Sequence, residues 1–110
     1  MSWVRLSDNF YRHPKFLRAG PRGGYLAICG IAYANEYLTD GFIPEIALGA
    51  LGATTRDIGA VVDSGLWTPA DGGWAIHDFA DYQASRAQVE AERKAARERM
   101  RRVRANGKRT

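Results

Sequence analysis

The chain has 110 residues, 45% hydrophobic and 25% charged, which suits one domain of ordinary composition. No apolar run reaches membrane-spanning length, the opening residues lack a signal-peptide layout, and the single cysteine, Cys29, excludes an internal disulfide or a cysteine-cluster zinc site. A cytoplasmic protein with no membrane partner is therefore expected. The formal charge of +4 is unevenly spread: residues 1–84 carry 6 basic and 9 acidic side chains, whereas residues 85–110 carry 10 and 3, and all 12 aromatics precede residue 85.

The charge divides the chain into a mildly acidic body, 1–84, and a basic tail, 85–110. In the body, Trp3-Val4-Arg5-Leu6 alternates weakly, as a short strand would, and Ser7 or Asp8 is placed to cap a turn that brings Phe10 inward. Pro14 suits the first turn of a short helix and Gly20 its end. Pro21 opens a longer helix running to about Leu38, apolar around much of its surface and so expected at the centre of the core. Gly23, Gly24 and Gly30 each weaken that helix by about 1 kcal/mol relative to alanine, unless another element packs closely against them.

Thr39-Asp40-Gly41 is a stop and turn signal, and Phe42-Ile43 fits a very short strand. Pro44-Glu45 begins a helix to Leu51, with Gly52 as its C-terminal cap. Thr54 begins the next, to Ser64, with Asp57 completing a capping-box pattern and Gly65 ending it. Leu66-Trp67-Thr68 and Trp74-Ala75-Ile76-His77 read as hairpin strands around a five-residue loop, Pro69 to Gly73. Phe79 to Gln83 leads out. Ser85 and Gln88 form a second capping box, opening a long helix to about Ala105, beyond which Lys108-Arg109-Thr110 should fray. The expected fold is α+β, mainly α: a winged helix, that is, a helix-turn-helix with a C-terminal β-hairpin, followed by a long C-terminal helix.

Several segments carry a resemblance. Ser2-Trp3-Val4-Arg5-Leu6 with Asp8, Phe10 and His13-Pro14-Lys15 resembles the opening of replication-initiation or replisome-organiser proteins of actinobacterial phages and prophages. Tyr37-Leu38-Thr39-Asp40-Gly41-Phe42-Ile43-Pro44, Gly65-Leu66-Trp67 and Ile76-His77-Asp78-Phe79 with Asp81-Tyr82-Gln83 resemble the same family. So does Ser85-Arg86 with Gln88-Val89 and Glu92-Arg93. The resemblance covers nearly the whole chain and lies in the order and spacing of the pieces. It implies an N-terminal winged-helix domain like those of primosomal and helicase-loader proteins, working in a bacterial host cell. It also implies a replication or host protein as partner.

The residues locate the candidate contacts. The second helix of the pair, the groove-entering helix of a winged helix, offers only Arg56 for base reading, beside Asp57 and Asp63; the other reading, that this helix packs in the core and caps itself, is the one its composition favours. The wing carries Asp71 and no cation. In the tail, Arg93, Arg97, Arg101 and Arg104 form a stripe, with Arg102, Lys108 and Arg109 nearby, and mutual repulsion is only partly offset by Glu90–Lys94 and Glu98–Arg102 pairs. Such a stripe suits sequence-independent binding to DNA phosphates; a solvated charged helix is the other reading, and both stand at this stage. Val89, Ala96, Met100 and Val103 make a thin apolar seam, a candidate homodimer or partner interface.

No catalytic set, metal or cofactor is expected. His13 and His77 lack spaced partners, and Cys29 reads as a buried thiol. Asp78 and Asp81 suit capping or a salt bridge to a tail arginine, while Trp3, Trp67 and Trp74 suit core and hairpin packing. The expectation is a non-enzymatic replication-associated DNA-binding protein, or alternatively an interaction and dimerisation module that works without DNA.

Overall fold

A computed structural model describes residues 3–83 and 86–107. The fold is α+β and mainly helical. Helix α1 (Pro14–Tyr37) follows a 3-10 turn at Phe10–Arg12, and strand β1 (Phe42–Pro44) follows α1. A 3-10 turn at Glu45–Ala47 then leads into α2 (Leu48–Leu51) and α3 (Thr55–Asp63). Strands β2 (Trp67–Ala70) and β3 (Gly73–Ile76) form a hairpin, succeeded by α4 (Phe79–Tyr82) and α5 (Arg86–Gly107). The sheet is antiparallel in the order β1-β3-β2, so β3 is central, and the expected order of elements is present.

The punctuation residues act largely as their chemistry dictates. His13 caps α1: its Nδ1 accepts the Lys15 amide at 3.2 Å, ahead of Pro14 at the first helical position. Gly20, at φ 75°, breaks α1 just before Pro21, so the expected short and long helices exist as two arms of a kinked one. At α3 the capping box is complete: Thr54 Oγ1 accepts the Asp57 amide, and the Asp57 carboxylate accepts the Thr54 amide.

The core lies between α1, α3 and the sheet. Ile43, Val61 and Trp67 are its fully buried large side chains, with Leu26, Ala27, Ala34, Ala47 and Phe79 around them. Two glycines on α1 permit this packing. A Cβ at Gly23 would stand 2.9 Å from Ala19 Cβ and 3.2 Å from Ala60 Cβ, so α3 crosses α1 at this point. A Cβ at Gly30 would stand 2.6 Å from the Trp67 ring, so the indole fills the space of a missing side chain. Trp74 packs beside it, with ring centroids 6.2 Å apart.

Several expectations are corrected. Residues 3–6 form no strand; the Gln83 side chain instead holds the backbone of Arg5, accepting its N–H and donating to its carbonyl. Asn35 donates to the same Gln83 oxygen at 3.1 Å. The hairpin loop is two residues, Asp71-Gly72, because Pro69 and Ala70 continue β2; an edge strand tolerates a proline that donates no hydrogen bond. The helix expected from Pro44 is a 3-10 turn followed by α2, and Pro44 itself belongs to β1, since the Glu45 amide bonds back to Gly72. Trp3 is 84% exposed rather than packed, having no element over it, and Cys29 is half-buried at the edge of the α1 core face. Ser85 and the capping box it was expected to form lie outside the described residues.

The Gly30 contact predicts a sharp contrast. Gly30→Ala drives a methyl into the Trp67 ring and should destabilise the fold by about 1–3 kcal/mol. Gly24→Ala places its Cβ 3.5 Å from Phe16, an ordinary contact, and should be neutral or stabilising in the same urea titration.

Candidate nucleic-acid interface

Helix α5 rises about 33 Å over its 22 residues. No extended packing joins it to another helix or strand of the described chain. Arg93, Arg97, Arg101 and Arg104 are all exposed and share about 80° of its circumference at 3.6 residues per turn. Arg102 is exposed on the opposite side, outside that stripe. Glu98 and Arg102 do not form the expected ion pair among the described residues. Lys108 and Arg109 lie outside the described residues.

The apolar seam adjoins the basic stripe rather than opposing it. Val89 and Ala96 are half-buried, whereas Met100 is 54% and Val103 62% exposed. Ala96, Met100 and Ala105 share one shallow surface with Arg97, Arg101 and Arg104. Cations and methyl-bearing side chains therefore present one continuous surface. Near its start, α5 places Arg93 beside Val4, Cys29, Tyr33, Tyr37 and Leu51.

The face expected to read a groove is arranged otherwise. Arg56 is exposed in the first turn of α3. Asp57, its neighbour, is turned inward and held by Arg22 of α1 through two hydrogen bonds of 3.0 and 3.1 Å. One carboxylate thus caps α3 and ties it to α1. The Arg22 guanidinium, and after it the Thr54 amide, hold the Asp57 carboxyl well below the usual carboxylate range. At the hairpin tip, Asp71 and Glu45, whose amide donates to the Gly72 carbonyl, are both exposed, and the Asp71-Gly72 turn carries no cation. That tip repels phosphate.

The remaining titratable candidates are accounted for locally. His77 Nε2 contacts Asp78 Oδ2 at 2.9 Å, so Asp78 is engaged by its neighbour rather than by a tail arginine; the Asp81 side chain lies outside the described residues. His13 is occupied as the α1 cap. Among the described residues there is no cluster of three or more metal-ligating side chains, and no helix is long and apolar enough to cross a membrane. Sequence reasoning missed the Arg22–Asp57 pair, which joins positions 35 apart, and the Gln83 clamp on Arg5, 78 positions away. Neither leaves a local pattern.

No protein-family model, curated protein or solved structure matches this chain. Its own charges and surfaces are therefore the ground for a functional reading.

The Asp57 geometry predicts an acid-sensitive contribution to stability. Its folded-state pKa is depressed, so that contribution is present above the unfolded carboxyl value of about 3.9 and is lost as pH falls through the folded value. Asp57→Asn should lower the thermal midpoint at neutral pH. It should also flatten the fall in that midpoint between about pH 5 and pH 2 relative to the parent chain. Thr54→Ala, which removes only the cap, should cost about 1 kcal/mol.

Proposed function

We propose that this protein is a non-enzymatic, replication-associated DNA-binding factor. Its winged-helix body serves assembly, and its basic C-terminal helix contacts DNA without reading sequence. The observation that carries the DNA contact is the exposed stripe of Arg93, Arg97, Arg101 and Arg104 on a helix that, among the described residues, meets the body near Arg93 and has no extended packing against another element. Four like charges on adjacent turns repel one another, and phosphate relieves that repulsion while releasing counterions.

The winged-helix reading rests on element order: a helix, a short strand, two closely spaced helices, then a hairpin whose inner strand pairs with the first strand. The phage replication context rests on the resemblance of Ser2 to Leu6, Tyr37 to Pro44 and Ile76 to Gln83 to that family. In this reading α3 is a packing helix. Its first-turn carboxylate is committed to Arg22, and Arg56 is its one cation, exposed along with Thr55 and Asp63.

A second reading, a protein-interaction module that binds no DNA, is favoured by one specific observation. Trp3, Ile46, Tyr25 and Tyr37 are each at least 60% exposed on the body, leaving large side chains available to a partner. The seam Val89, Ala96, Met100 and Val103 would extend such a surface onto α5.

Salt dependence separates the two. The full chain should bind a DNA duplex of arbitrary sequence, with affinity falling steeply as salt rises. Replacing Arg93, Arg97, Arg101 and Arg104 together by glutamine should reduce the slope of log K against log salt by about 3 to 4. Arg56→Ala should leave the binding unchanged across sequences. Absence of duplex binding by the full chain at low salt would refute the DNA reading and leave the interaction module.

A further inference from the structure

Beside the Trp67 core contact lies a cavity of about 160 Å³ that the DNA reading does not use. Its inner wall is apolar: Phe10, Phe16, Ala27, Ile31, Trp67 and Ile76. A dry cavity of about 150 Å³ with such a lining accommodates a single benzene ring. Trp67 is 1% exposed, and its Nε1–H is a buried donor with no hydrogen-bond partner among the described residues. That edge of the ring lies against Gly30 of α1, where a Cβ would stand 3.5 Å from Nε1.

The mouth has its own chemistry. Arg5, His13 and His77 are exposed there, and Lys15 is half-buried with its stem against Gly65. The Nδ1 of His13 accepts the Lys15 amide, so its Nε2 is left to donate outward when the ring is neutral. Asp78, the one carboxylate at the mouth, is engaged by His77. Donors and cations thus exceed acceptors at the rim, while the interior is apolar. The segment carrying Arg5 and Leu6 closes this side, held in place by the Gln83 clamp.

The geometry points to a small-molecule site for a single-ring aromatic carboxylate, its ring between Phe16, Ile31 and Trp67 and its carboxylate toward the Arg5, His13 and Lys15 rim. Apolar fill sets the size limit at one ring; the excess of donors selects an anion over a cation. The site is separate from α5, and its occupancy does not depend on DNA binding.

The test uses the full chain labelled with 15N at its tryptophan indoles, with benzoate, benzyl alcohol and benzylamine as probes. Benzoate should shift the Trp67 Nε1–H resonance saturably and raise the thermal midpoint, binding about tenfold more tightly than benzylamine. Ala27→Leu, which fills the cavity, should abolish the shift. Arg5→Gln, an exposed side chain whose backbone clamp is untouched, should weaken benzoate while leaving benzyl alcohol unchanged, and it decides the matter if Ala27→Leu fails to fold. An unmoved Trp67 resonance, or benzylamine binding as tightly as benzoate, would overturn the proposal.

Discussion

The Trp67 indole lies where a side chain at position 30 would stand, and most of the body's geometry follows from that contact. It presses β2 onto α1, while β1, joined to β2 through β3, packs on the same helix and buries Ile43 in the shared core. A glycine in mid-helix is costly by itself; burying the largest side chain against it more than offsets the cost. A second close approach, at Gly23, lets α3 cross the same helix two turns earlier. The hairpin and α3 are therefore both positioned by small residues on one face of α1, and the cavity is the space left where the indole, Ala27 and Ile31 do not meet.

Electrostatics separates the chain into two working parts. The body nets −3 and the tail nets +7, so the formal +4 describes neither. The separation is sharpened by how the body uses its charges. Asp57 is spent on capping α3 and holding Arg22, and Asp78 is engaged by His77. Glu45 and Asp71 stand at the hairpin tip, where a DNA-binding wing would need cations. The tail uses its charges differently. Its stripe arginines lie exposed on a helix that has no extended packing against another element among the described residues, and the apolar seam runs beside them.

Much of this was legible because it is written in punctuation. Pro14, Gly20, Pro21, Gly52, Thr54 with Asp57, and Gly65 mark helix ends by backbone chemistry that acts within a few residues. The hairpin was legible too, but its turn was not. Pro69 reads as a loop residue until the sheet shows β2 to be an edge strand, where a missing N–H costs nothing. The exposure of Trp3, the Gln83 clamp and the cavity share one reason for escaping notice: each depends on what lies opposite in space, across as many as 78 positions of chain. For the candidate interface, the stripe on α5 followed from helical spacing alone. The inward turn of Asp57, which disfavours α3 as a reading helix, required knowing that Arg22 lies beneath it.

In the function proposed above, DNA meets α5 and not the α3–hairpin face. Backbone amide shifts of the full chain, mapped during titration with a short duplex of arbitrary sequence, address it directly. Perturbations should cluster in residues 86–107 and leave Thr55–Asp63 and the Asp71-Gly72 turn in place. Shifts concentrated on α3 and the turn, with α5 unmoved, would contradict it.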